Sequence, residues 1–354
     1  MAKILMKGNE AIGAAAIKAG CRHFFGYPIT PQNEIPEYMA KEMPKVGGVF
    51  LQAESEVAAI NMIYGAAGAG ARAMTSSSSC GIALKQEGIT YIAGAELPCV
   101  IVNISRGGPG LGGIQPAQSD YNQATRGGGN GDYKLLVYAP ANLQEMVDMV
   151  QEAFDAADYY RNPVMVMGDG MIGQMMEPIE FREVPNSRPL QEKTWATVGT
   201  GGKRKPNIIN SLALDPQDLE NHNIRLQAKY QEMKQKEARY EAYNLENAEV
   251  VLVAYGTTSR IVKNAISDLK AAGINAGLIR PMTLWPFPDQ AFKNLPSTVK
   301  ALLSVEMSMG QMVDDVRLAC ECKYPVEFYG RSGGMIPTPE GVVEKVKAML
   351  GGAK

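Results

Sequence analysis

Histidine is nearly absent from this sequence. His23 and His222 are the only two in 354 residues, so a mechanism built on a histidine base has few candidates. His23 precedes the apolar pair Phe24-Phe25 and reads as structural, while His222 lies in a charged stretch and reads as solvated. Cysteine is scarce too. Cys21, Cys80, Cys99, Cys320 and Cys322 form no C-x-x-C pair. That excludes a zinc ribbon or a ferredoxin-type cluster built from this chain alone. Free thiols fit a reducing compartment. Neither sign of charge is in excess, with a net charge of -2, which argues against nucleic-acid and membrane-surface partners. No apolar run reaches the length of a membrane span and no signal-peptide pattern opens the chain, so a cytoplasmic location is expected.

What is present is alternation. The length exceeds one ordinary core, so two domains are expected. Strand patterns at 21–25, 49–52, 72–76, 98–105, 135–138 and 163–167 alternate with helical patterns at 7–20, 33–42, 57–71, 82–93 and 142–160. This predicts an α/β fold with a doubly wound parallel sheet, whose ligands sit beyond the carboxyl ends of the strands. Residues 177–214 read as an irregular arm and 215–244 as a long, charged, solvated connecting helix. A second α/β unit follows. It has strands at 250–255, 276–279, 300–306 and 326–329, helices at 261–272, 311–322 and 339–350, and a rigid proline-rich loop at 280–288.

The stretch LQAESEVAAI, from Leu51 to Ile60, stands out. Glu54 and Glu56 are two apart, so on a helix they face different ways and only one is expected to do chemistry. Both also suit the positive end of a helix dipole. The helix that follows, through Gly65, Gly68 and Gly70, is so poor in bulk that something must pack close to it. Four strand-to-helix junctions carry polar groups at one rim: Thr30 between two prolines, Glu56, Ser76–Cys80 and Arg106. Other motifs carry less. Gly168-Asp169-Gly170 resembles half of a magnesium-diphosphate motif, but no Asn follows at the needed distance, so it reads as a strand-ending turn. The glycine loops at 106–113 and 126–132 lack the P-loop lysine and the dinucleotide context. Cys80 has no histidine near it in sequence and reads as part of a buried turn rather than an activated thiolate.

The stretches GNEAIGAAAIKAG, FFGYPITPQNEIPEYMA, LQAESEVAAINMIYGAAGAGARAMTSSSS, ISRGGPGLGG, YGTTSR and IRPMTLWPFP resemble the α subunit of 2-oxoacid:ferredoxin oxidoreductases. The likeness is greatest to the branched-chain type, which acts on 3-methyl-2-oxobutanoate (2-ketoisovalerate), and it covers almost the whole chain. One departure is Cys80-Gly81, where the family pattern has Pro-Gly after the serine run. The resemblance implies a pyrimidine-binding thiamine diphosphate domain over 1–190, an irregular arm and connecting helix over 191–247, and a transketolase C-terminal-like domain over 248–354. It implies oxidative decarboxylation of a 2-oxo acid to acyl-CoA and CO2, with coenzyme A as co-substrate and ferredoxin as electron acceptor. Thiamine diphosphate would be shared with a β subunit carrying the diphosphate, Mg2+ and 4Fe–4S sites. A gamma subunit and, in some members, a ferredoxin-like subunit complete the assembly. No metal is expected on this chain, which alone is expected to be inactive.

Matched residue by residue, the resemblance implies that Glu56 contacts N1′ of the aminopyrimidine and is catalytic. Thr30 and Arg106 match the positions that bind the substrate's carboxylate and keto oxygen. Pro28, Ile29, Ser78 and Ser79 match the lining of the pyrimidine pocket, and Glu54 becomes structural. The rival readings are pyruvate or 2-oxoglutarate as substrate, the β chain of a lipoamide-linked 2-oxoacid dehydrogenase, and a non-catalytic binding module.

Overall fold

A computed structural model describes residues 3–184 and 188–351. The ends of the expected domains at 1–2 and 352–354, and residues 185–187 within the first, lie outside the described residues. A seven-stranded sheet runs in the order Thr283–Trp285, Leu136–Tyr138, Pro163–Asp169, Cys99–Ser105, Ala73–Ser77, His23–Gly26, Val49–Gln52. All its neighbours are parallel except Thr283–Trp285, which is antiparallel. Every residue of Cys99–Ser105 and Pro163–Asp169 is buried, as a parallel sheet covered on both faces requires. Helices Gly8–Lys18 and Leu143–Tyr160 pack on one face. Helices Glu56–Gly68 and Ser79–Gly94 pack on the other.

The second sheet has five strands in the order Val326–Gly330, Ala301–Glu306, Val250–Val253, Ala276–Pro281, Tyr240–Tyr243. One of its faces, with Val251, Val253 and Leu302, joins the same core as Ile60 and Ile89 of the first sheet. The other face packs on Val262, Leu269, Val342 and Val346.

Several segments differ from the sequence expectation, among them the unexpected short helices Tyr121–Arg126 and Gly170–Gln174. The expected helix 215–244 is Pro216–Lys236 followed by the strand Tyr240–Tyr243, because an alternating run after Lys236 pairs with Ala276–Pro281. That helix is not merely solvated. Leu226, Tyr230 and Met233 form a stripe at helical spacing and are buried, with the Tyr230 ring edge-on to Trp285. The expected loop 280–288 contains the strand Thr283–Trp285, which pairs with Leu136–Tyr138 of the first sheet. Arg280 beside it forks onto both carboxylate oxygens of Glu145, at 2.8 and 2.9 Å. Met176–Ile179, which overlaps the start of the stretch 177–214 read as irregular, is a strand paired with Ile4–Lys7. The described residues from 188 to 215 form no helix or strand. No helix among the described residues is long and apolar enough to cross a membrane.

Candidate active site

The register Gly26↔Gln52 brings two strand ends side by side, so the turn holding Pro28, Ile29 and Thr30 lies next to the segment that leads to Glu56. Ser55 caps the helix, its side chain accepting from Ala58 N at 3.1 Å. Glu56 is therefore the first helical residue, with only 6% of its surface exposed, whereas Glu54 is exposed. The close packing expected of the small-residue helix is there, but glycines of the opposing helix provide it. A Cβ on Gly65 would meet nothing within 4 Å. A Cβ on Gly81 would lie 2.1 Å from Ser77 Oγ and 2.7 Å from Glu56 Oε1, and one on Gly88 would lie 2.5 Å from Ile60 Cγ2. Gly81 thus leaves the space in which the Glu56 carboxylate and the Ser77 hydroxyl converge.

No hydrogen bond from a described residue reaches the Glu56 carboxylate, and the Ser77 and Ser78 hydroxyls are buried without partners. Native interiors seldom leave such groups unpaired, because each costs roughly 1–3 kcal/mol. On the same helix as Gly81, Lys85 is fully buried and donates to Thr75 Oγ1 at 2.6 Å and Ser76 O at 3.1 Å. Burial pulls its pKa down to about 7, with Glu56 and then Cys99 pushing it back up.

A second cluster adjoins through Ser79. Arg106 Nη1 donates to Thr30 O at 2.8 Å and approaches Thr30 Oγ1 at 3.3 Å. Its Nη2 donates to Leu111 O at 3.0 Å and meets Cys80 Sγ at 3.1 Å. Arg106 Nε has no partner although the residue is only 5% exposed. Ser79 sits at φ +27°, a conformation uncommon for a residue with a side chain. Asp120 and Asn103 hold it there. Ser79 Oγ donates to Asp120 at 2.7 Å, Asn103 Nδ2 donates to the same carboxylate oxygen at 3.0 Å, and Arg106 N donates to Ser79 Oγ at 3.0 Å. A cleft of about 520 Å³ opens beside this cluster, with Cys80, Ala83, Pro109, Met307 and Met309 among its walls.

The structure therefore gathers Thr30, Ser79 and Arg106 into one bonded cluster, brings Glu56 and Ser77 together without a bond, and leaves the neighbouring Ser78 buried and unpartnered. Pro28 and Ile29 are half-buried in the adjoining turn. Neither bonds directly to Glu56. Asp169 ends its strand as a helix cap, accepting from Met171 N at 2.8 Å and Ile172 N at 3.1 Å, with its other oxygen taken by Thr257. Burial raises its pKa. His222 is not simply solvated, since its Nε2 lies 2.8 Å from Gly94 O. Sequence reading missed Asn103, Asp120, Lys85 and Gln118. Asn103 and Lys85 did leave a signal, as lone polar residues within apolar patterns. Gln118 did not. It ties Tyr255 O, Thr258 and Met307 N across a long sequence separation, at 2.9, 2.9 and 3.0 Å.

The sequence matches the family described as "Pyruvate flavodoxin/ferredoxin oxidoreductase, thiamine diP-bdg" over residues 14–248. It matches "Pyruvate:ferredoxin oxidoreductase core domain II" over 248–342. It is 49% identical over 352 residues to the ketoisovalerate oxidoreductase subunit VorB of Methanothermobacter thermautotrophicus, covering 99% of each chain. It is 37% identical to the 2-oxoglutarate synthase subunit KorA of Methanocaldococcus jannaschii, covering 98% of this chain and 99% of that one. Among solved structures it resembles the 2-oxoglutarate:ferredoxin oxidoreductase of Magnetococcus marinus with 2-oxoglutarate, coenzyme A and succinyl-CoA bound. The TM-score is 0.89 at 28% identity, over 98% of this chain and 65% of that longer one.

Proposed function

This chain is a subunit belonging to the 2-oxoacid:ferredoxin oxidoreductase family, and from that premise we propose that it supplies the pyrimidine side of a thiamine diphosphate site and grips a branched-chain 2-oxo acid. The supporting observation is the buried Glu56 carboxylate, without a hydrogen bond from the described residues, beside the unpartnered Ser77 hydroxyl, with the Ser78 hydroxyl buried and unpartnered next in the chain. A polar ligand edge would complete all three. The missing side chain of Gly81 lets the Glu56 carboxylate and the Ser77 hydroxyl lie together, since even one added carbon there would strike both. The residues therefore suit an aminopyrimidine, with Pro28, Ile29, Ser78 and Ser79 as further lining.

Thiamine diphosphate, when bound, supplies the carbanion chemistry that releases CO2 from a 2-oxo acid. This chain's own residues bind, orient and move protons. Glu56 holds or accepts a proton at N1′ of the pyrimidine. Arg106, with Nε unpartnered and Nη1 beside Thr30, carries the guanidinium chemistry that recognises a carboxylate, while its Nη1 and Nη2 bonds to Thr30 O and Leu111 O hold it in place. The Thr30 hydroxyl completes that grip. Among the described residues no cationic side chain lines the adjacent cleft, whose polar wall includes Asp120. A second substrate carboxylate would be repelled there, while Ala83, Pro109, Met307 and Met309 suit an alkyl branch. This supports 3-methyl-2-oxobutanoate over 2-oxoglutarate, in keeping with the substrate named for the 49%-identical relative.

Partner subunits complete the enzyme in this reading. A β subunit brings the diphosphate, Mg2+ and 4Fe–4S sites, a gamma subunit joins the assembly, and coenzyme A and ferredoxin take the acyl group and the electrons. The test is anaerobic co-expression with those partners, followed by coenzyme A-dependent viologen reduction with 3-methyl-2-oxobutanoate, pyruvate, 2-oxoglutarate and an aryl pyruvate. The branched acid is expected to give the highest kcat/KM. Highest efficiency with 2-oxoglutarate would overturn the substrate assignment. Full activity of an assembled Glu56→Gln complex would overturn the site.

A further inference from the structure

A guanidinium has five N–H donors, and the terminal nitrogens of Arg106 are engaged by four contacts. Nη1 donates to Thr30 O at 2.8 Å and lies 3.3 Å from Thr30 Oγ1. Nη2 donates to Leu111 O at 3.0 Å and to Cys80 Sγ at 3.1 Å. Nε is buried and has no partner among the described residues. A carboxylate gripped by a guanidinium takes two parallel N–H bonds from one edge. The edge that contains Nε is completed by Nη2, the terminal nitrogen on the side of the Nε–H. A carboxylate arriving there must displace one of the two Nη2 contacts. Leu111 O is a backbone carbonyl, a strong acceptor, in a loop closed by Gly113 N donating to Gly107 O at 2.9 Å. A cysteine sulfur is a weak acceptor. Cys80 is only half-buried and faces the 520 Å³ cleft, so its contact is the one that yields.

We propose that Cys80 is a positioning residue for Arg106: its sulfur holds the Nη2 N–H until the carboxylate of the 2-oxo acid takes it. The inference rests on the reading of Arg106 as the residue that binds that carboxylate. Leaving a buried donor unpaired is unfavourable, so the acceptor that substrate displaces sets part of the affinity. A stronger acceptor at position 80 would hold Nη2 against the substrate. A side chain with no acceptor would leave nothing to displace. Every 2-oxo acid brings the same carboxylate, so the effect is the same for branched and unbranched acids. A sulfur that merely shaped the wall of the cleft would act on the alkyl branch, and its effect would depend on that branch.

The experiment uses the assembled complex and coenzyme A-dependent viologen reduction. KM and kcat are measured for 3-methyl-2-oxobutanoate, and pyruvate is followed by its KM or, if it is not turned over, by its competitive inhibition constant. Cys80→Ala removes the acceptor and is expected to lower both constants by one common factor, about two- to five-fold, with the change falling on KM rather than kcat. Cys80→Ser supplies a hydroxyl, a stronger acceptor, and is expected to raise both by a similar factor. Constants in Cys80→Ala equal to or above wild type would overturn the inference. So would shifts of the same sign in the two variants, or factors that differ between the two acids, since both describe a wall. Should Cys80→Ala fail to assemble, Cys80→Ser decides: a common rise supports the inference, and unchanged, lowered or unequal constants overturn it. Arg106→Lys separates the two levels. If it leaves KM unchanged, the carboxylate-binding reading fails. If it raises KM while Cys80→Ala does not lower it, only the role of Cys80 fails.

Discussion

Glu56 and Glu306 occupy comparable places in the two parallel sheets, each where the chain passes from a strand toward a helix, and each is buried. Their surroundings are opposite. Glu306 accepts from Ser304 Oγ, Ser308 Oγ and the backbone N–H groups of Gln311, Met312 and Val313, at 2.8 to 3.0 Å. It thereby anchors the free amides at the start of helix Met312–Ala319. Glu56 receives no such bond. The hydroxyl turns repeat the contrast. In the second unit Thr257 bonds Asp169, Thr258 bonds Gln118 and Ser259 bonds Gly256 O, while Ser77 and Ser78 in the first stay unpartnered. The second rim satisfies itself and is a structural joint. The first keeps its bonding capacity for a ligand.

The sharpest way to break this comparison is to neutralise both glutamates. Glu56→Gln is expected to lower kcat of the assembled complex by about 10²–10⁴-fold, with an unchanged thermal midpoint. Glu306→Gln is expected to cost about 3 kcal/mol of stability in urea unfolding, with kcat per folded complex retained. Exchanged outcomes would reverse the assignment of the two rims. Next in size is Arg106→Lys, which loses the fork. It should raise KM for the 2-oxo acid by the equivalent of about 1.5–3 kcal/mol, and an unchanged KM would remove Arg106 from substrate binding.

A smaller contrast lies within the packed helix pair. Gly81→Ala places a carbon against Ser77 and Glu56 and should cost roughly 1–3 kcal/mol of stability, together with thiamine diphosphate affinity. Gly65→Ala meets nothing and should stabilise its helix by about 0.5–1 kcal/mol. Equal effects on cofactor binding would mean that the contact of Gly81 with Glu56 does not set the carboxylate for the cofactor. Least in magnitude, Ser77→Ala should stabilise the fold by about 1 kcal/mol, since it removes a buried hydroxyl that has no protein partner. Thr257→Val should cost about 1 kcal/mol. Chemical denaturation of the two variants side by side would show whether the rims differ as described.

Much was legible in the residues themselves. Period and punctuation place nearly every strand and helix of the first sheet, because short apolar runs bounded by glycine and proline have few other folds. Glu56, Thr30, Arg106 and the serine run were visible as polar groups at consecutive strand ends, since a parallel sheet puts all those ends on one side. The strand Thr283–Trp285 was hidden because its partner, Leu136–Tyr138, is far away in sequence. The buried stripe of the Pro216–Lys236 helix was masked by the charges around it.

By itself, then, the sequence determined the α/β class, the rim on which the chemistry sits and the residue types offered there, all of which follow from local pattern. Only the tertiary structure decided that Glu56 is left unbonded while Glu306 is saturated, and that a glycine of the facing helix makes room beside it. Hydrogen-bond saturation and the field at a buried carboxyl depend on neighbours brought in from elsewhere in the chain, and no window of sequence contains them.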